Sequence, residues 1–85
     1  DALIYPNPVK TEEPFHVQFP FDATDIEIEI RDLNDQLVLR SYLANASLYS
    51  TELEIAVGYY IAQIAFTDNF GTRRLENLTF VVINP

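Results

Sequence analysis

Apolar and polar residues alternate one by one along much of the chain, a period of two that belongs to strands buried on one face. In DIEIEIRD, Ile26, Ile28 and Ile30 point one way and Glu27, Glu29 and Arg31 the other, so the carboxylates face water. FHVQF repeats the pattern, with Phe15, Val17 and Phe19 inward and His16 and Gln18 outward. Pro14 and Pro20 bound this segment, and because neither can donate to a ladder the reading is a brief strand at an edge. Asn34 and Asp35, both tolerant of positive φ, predict a tight hairpin turn into a strand over about Gln36 to Tyr42. LANASLYS is small and polar, which predicts a connection or irregular edge, and STELEI alternates again through Leu53 and Ile55. After Gly58 the run from Tyr59 to Phe66 is almost continuously apolar, as a central strand with two paired neighbours requires. Asn69 and Gly71 mark a loop, and LENLTFVVI supplies a closing strand. With a short strand at Leu3 to Tyr5 the total is about seven, no segment has helical period, and the prediction is an all-β, immunoglobulin-like antiparallel β-sandwich.

Length fixes how much core this sandwich can have. The 85 residues suit a single domain spanning 1–85, and a chain of this size buries roughly 60–65% of the surface it exposes when unfolded. A hydrophobic fraction of 48% with 21% charged residues argues against disorder. Five basic and thirteen acidic residues give a net charge of −8, which excludes nucleic acid as a natural partner and disfavours anionic membranes. Cysteine is absent, so disulfide and thiolate chemistry are excluded. No apolar run spans a bilayer and no signal-peptide pattern opens the sequence, which reads as a mature fragment or a domain excised from something longer.

Candidate chemistry is sparse, and no catalytic residue, metal ligand set or cofactor is expected. His16 is the only histidine, so imidazole-based metal sites are excluded and any Ser-His-Asp triad would rest on one residue of an outward strand face. Asp22, Asp25, Glu27 and Glu29 could offer oxygens to calcium, but they lack loop spacing and alternate as a solvated face does. With glycine only at 58 and 71, no phosphate-binding loop exists. Tyr59 and Tyr60 point to opposite faces, one to the core and the other free to stack on a sugar or a partner. Tyr42, Tyr49 and Phe70 are the candidates for a sugar platform. The sequons at Asn45 and Asn77 are read as chance.

The stretch YPNP, Tyr5 to Pro8, has a physical reading of its own. Pro6 ends the first pairing and Pro8 drives Asn7 toward an extended conformation, giving a stiff, kinked start that sets how the first strand is delivered. On this ground alone, a simple turn and a device that fixes an inter-domain angle are equally good readings.

Three segments in order, IYPNPV (Ile4 to Val9), IEIRDLNDQLV (Ile28 to Val38) and LEIAVGYYIAQI (Leu53 to Ile64), resemble the C-terminal sorting domain of the type IX secretion system of Bacteroidota. Tyr5, Pro6, Asn7 and Pro8 match the family's first motif, Asp32 and Val38 its mid-domain hairpin, and Gly58 with Tyr60 its Gly-x-Tyr motif. The resemblance implies a non-catalytic module at the C-terminus of a cargo protein. It implies recognition by the outer-membrane translocon and its shuttle protein, and removal by a sortase-like protease as the cargo is anchored. Localisation would then be periplasmic in transit, followed by the outer membrane, the cell surface or the medium. Asp35 stands where the hairpin glycine is usual. The last strand also lacks the basic residue common there, which implies a variant retained on a machinery component or surface protein.

The residues expected to serve partner recognition are therefore Tyr5, Pro6, Asn7, Pro8, Gly58, Tyr60, Phe80 and Val82. The proposed mode is strand addition at the edge of the last strand, Leu78 to Ile83. Two other classes remain: an accessory spacer beside a catalytic domain of a surface enzyme, tied to that preceding domain of the same chain, and a sugar-binding module.

Overall fold

The computed structural model describes residues 1–85. It contains six strands: β1 (Leu3–Tyr5), β2 (Val9–Lys10), β3 (Pro14–Asp32), β4 (Leu37–Glu52), β5 (Gly58–Thr67) and β6 (Arg73–Ile83). The pairing order is β1-β3-β5-β6-β2, with β4 on the other side of β3. All pairs are antiparallel except β2 with β6, which run parallel through Val9↔Val82 and Lys10↔Ile83.

β3 builds both layers. Its first part pairs with β1 (Ile4↔Val17) and with the end of β4 (Phe15↔Thr51). Its second part pairs with the start of β4 (Ile28↔Ser41) and with β5 (Ile28↔Ile64). Between Gln18↔Leu48 and Ala23↔Ala46 it takes five steps where β4 takes two. The surplus residues bend the pair out of one layer into the other, as an irregularity of this kind does.

The alternation predicted for Phe15 to Phe19 and Ile26 to Ile30 holds, and these residues meet β5 and β6 across a single 16-residue core. Phe15 lies 4.7 Å from Phe80 between ring centroids, and Phe19 lies 4.9 Å from Phe66. Fully burying a Phe, Ile or Val side chain is worth about 1.5–3 kcal/mol, so this core, with the aromatic seam running through it, is the main stabilising element.

Three sequence expectations are corrected. The strand at Phe15 does not stop at Pro20 and is not an edge: it continues to Asp32 with neighbours on both sides. Pro20 is accommodated because it falls in the stretch where the β3–β4 ladder skips, so no bond is forfeited. Of the two readings of LANASLYS, the connection falls and the irregular edge stands: it is the middle of β4, an edge strand whose ladder skips between Leu48 and Ala46. The STELEI strand does not extend through Ile55; β4 ends at Glu52, while Leu53 is still buried, 2% exposed. The count is thus six strands rather than seven, and β5 holds its expected central place between β3 and β6.

Candidate functional site

Two of the three motif segments, Ile4 to Val9 and Leu53 to Ile64, flank the last strand, while Ile28 to Val38 lies beyond β5. The peptide bonds Tyr5–Pro6 and Asn7–Pro8 are both cis, and the Asn7 carboxamide lies along the open side of β6. Asn7 Nδ2 donates to the Thr79 carbonyl at 3.3 Å, and the Val81 amide donates to Asn7 Oδ1 at 3.1 Å. One side chain therefore supplies the donor and acceptor that a neighbouring strand would supply. Just beyond it, β2 takes over the pairing, and the Thr11 amide donates to the Ile83 carbonyl at 2.9 Å. Nearer the start of β6, the Ala2 amide donates to Glu76 Oε1 at 2.8 Å and Asp1 faces Arg74 at 3.5 Å.

Strand addition along Leu78 to Ile83 is accordingly corrected: that edge is occupied by Asn7 and β2. What remains is a shallow groove of about 490 Å³ beside the start of β6, lined by Asp1 and residues 72–78. Glu76 Oε2 is buried there without a partner.

On the other side of β6, Gly58 pairs with Val82, Tyr59 with Val81 and Tyr60 with Phe80. Gly58 has φ 157°, at the limit of the range that L side chains rarely adopt, and a Cβ there would meet only the Tyr60 ring at 3.9 Å. Tyr60 is the inward tyrosine; its ring stacks on Phe80 at 5.8 Å, and its hydroxyl donates to the Ala56 carbonyl at 2.6 Å. Burial pushes its phenol above the usual tyrosine value. Tyr59 is the outward one, 64% exposed.

The recognition residues expected from sequence therefore separate into two groups. Tyr5, Asn7 and Pro8 are exposed and Pro6 half-buried, whereas Tyr60, Phe80 and Val82 are core and present no side chain to a partner. Tyr5 is held by its hydroxyl on Gln18 Oε1 at 2.9 Å and by the His16 ring at 4.9 Å.

The two β-hairpins that frame the site share one construction. Asp32 Oδ1 accepts from the Asn34 and Gln36 amides at 2.9 and 3.0 Å, and Asp35 takes φ 63°. Asp68 Oδ1 accepts from the Phe70 and Thr72 amides at 2.9 Å each, and Gly71 takes φ 81°. Donation from Thr72 and Phe70, with Arg74 nearby, holds the Asp68 carboxyl below the usual carboxylate range despite its burial. Asp68 was missed in the sequence, although DNFGT repeats the spacing of DLNDQ.

The other candidates have local partners. His16 Nδ1 lies 2.6 Å from Ser50 Oγ, with no carboxylate completing a triad and no concavity beside it. Asp25 accepts from the Tyr42 hydroxyl at 2.9 Å, which raises the phenol's pKa. Glu29 is bonded by Arg40 at 2.8 Å and Arg31 at 3.2 Å, and these bonds lower its pKa. Tyr49 is half-buried on Ser41 at 2.7 Å, so it does not share a platform with exposed Tyr42. No helix is long and apolar enough to cross a membrane.

Among solved structures, CopC from Methylosinus trichosporium OB3b is similar, with a TM-score of 0.74 at 15% identity over 99% of this chain and 95% of that one. That likeness bears on fold alone and supports the sandwich. No curated protein sequence matches. The family model for the secretion system C-terminal sorting domain matches residues 3–75, from β1 into the first residues of β6. With that match over most of its length, the chain belongs to the secretion system C-terminal sorting domain family, whose members are non-catalytic type IX secretion signals.

Proposed function

We propose that residues 1–85 act as one sorting unit, recognised by the outer-membrane translocon and its shuttle protein at the surface where the Tyr-Pro-Asn-Pro segment lies against β6. The observation that carries this is the bonding of Asn7 to Thr79 and Val81 beside the Gly58↔Val82 pair. Segments far apart in sequence are thereby drawn into one surface. Tyr5, Asn7, Pro8 and Tyr59 are the exposed side chains of these segments, while Tyr60, Phe80 and Val82 are buried in the core. Binding energy at such a surface concentrates in a few aromatic anchors, and Tyr5 and Tyr59 are the two available.

The parent protein passes through the periplasm and is displayed at the outer membrane, on the cell surface or in the medium. A β6 without a basic residue beyond Arg74 fits a tail retained on its protein, whether a machinery component or a surface protein, rather than one released by a sortase-like protease. The domain contributes no catalysis; any activity of the parent belongs to other parts of it.

The anchoring of Ala2 to Glu76 and of Asp1 to Arg74 favours one second reading, an immunoglobulin-like spacer that fixes the angle to a preceding domain. Fusing residues 1–85 to the C-terminus of a periplasm-directed fluorescent protein, in a host with and without its type IX translocon, separates the two. Translocon-dependent appearance outside the cell is expected. Retention of a folded fusion in the periplasm would overturn the sorting role in favour of the spacer.

A further inference from the structure

The far side of β4 pairs with nothing. β4 is sixteen residues long and bonded only to β3, so every second residue turns an unpaired amide and carbonyl outward. Natural edges are blunted by proline, lysine, bulges or short length. Between Leu37 and Glu52 there is no proline, glycine or lysine, and the only charges are Arg40 and Glu52.

Those two charges are placed symmetrically about Ala46, six positions to either side. We propose that β4 pairs antiparallel with β4 of a second copy of this chain about a twofold axis at Ala46, making one continuous curved sheet. In that register Arg40 faces Glu52 of the second copy, twice over. Glu52 has no ion-pair partner in its own chain, and Arg40, which uses Nε and Nη2 on Glu29, keeps Nη1 free.

The faces agree as well. Arg40 and Glu52 are both exposed, and Leu43 and Tyr49, opposite each other across the axis, are both half-buried on the core side. A slip by one residue would set the half-buried row of one copy against the exposed row of the other, and a slip by two would part both Arg40–Glu52 pairs, so faces and charges together specify the register. The bend that brings Ser41 Oγ within 2.7 Å of Tyr49 Oη lies about this same centre. A twofold axis normal to the sheet preserves such a curve, so both copies bend the same way.

An edge-to-edge contact of this length falls at the small end of specific interfaces, and dissociation constants on the order of 10–100 μM are expected. Sedimentation equilibrium of the 85-residue chain from 10 μM upward should show a monomer–dimer equilibrium, and Glu52→Arg should weaken it about tenfold or more. Because the chain has no cysteine, register is read by single-cysteine crosslinking. Ala46→Cys, opposite its own copy at a distance a disulfide can span, should oxidise rapidly to a covalent dimer, while Ser50→Cys, far from its own copy, should not. A monomer at all concentrations, a dimer indifferent to Glu52→Arg, or equal crosslinking at the two positions would each overturn the proposal.

Discussion

Asn7 occupies, with a side chain, the place of a strand beside Val81: its Oδ1 accepts the Val81 amide while its Nδ2 reaches the Thr79 carbonyl. The asparagine between two prolines is thus a tie between the two ends of the chain, 74 residues apart in sequence. Asn7→Ala should lower stability by about 1 kcal/mol, since two solvent-accessible hydrogen bonds are returned to water. For a domain of this size the thermal midpoint should fall about 4–8 °C. Amide exchange locates the effect: the Val81 amide should lose protection while Ile64, in the centre of β5, should not.

The positive-φ positions of the two hairpins offer a matched pair. Gly71→Ala should cost about 1 kcal/mol through backbone conformation alone, because nothing lies within 4 Å of the Cβ position. Asp35→Gly should be neutral to stabilising by a few tenths of a kcal/mol. It removes a left-handed aspartate and only a 3.9 Å contact with Arg31, whose bond to the Asp35 carbonyl at 3.0 Å is retained. Denaturant midpoints of the two variants should move in opposite directions, or the second not at all.

Acid should weaken the fold through Asp68 and Glu29. Both carboxyls are held below the usual range, Asp68 by the Thr72 and Phe70 amides, and Glu29 by Arg40 and then Arg31. A carboxyl whose folded pKa is depressed contributes stability above its unfolded pKa and loses it as pH falls through the folded value. The thermal midpoint should therefore be flat above about pH 5 and fall below about pH 4. Asp68→Asn should lower the midpoint at neutral pH and flatten the acid limb.

Much of the sandwich was legible because one-sided burial writes a period of two into the sequence, as at Ile26, Ile28 and Ile30. What was illegible depends on partners distant in sequence. Pro20 looks like a terminator until β4 is seen to skip past it, and the bend in β4 puts small polar residues mid-strand in what reads as a loop. The surface proposed for recognition was half legible: Tyr5 to Pro8 and Gly58 stood out as local motifs. Nothing local says that Asn7 would close the very edge left open for a partner. Asp68, by contrast, was readable, since its turn repeats the spacing of Asp32.

Phe80 and Tyr59 test which residues shape the surface and which present it. Phe80 is 1% exposed between Phe15 and Tyr60, and Phe80→Leu should cost about 1–2 kcal/mol by loosening that seam. Tyr59 stands outward across from Val81, so Tyr59→Ser should cost at most about 1 kcal/mol, the worth of a cross-strand pair. If the exposed face is what the export machinery reads, their order reverses in a secretion assay. The Phe80→Leu fusion, where folded, should be exported near the unsubstituted level, and the Tyr59→Ser fusion should be exported several-fold less. The two readouts must be made on the same fusions, thermal midpoint in the purified protein and surface signal in cells, because only the crossing of the two orders separates recognition from stability.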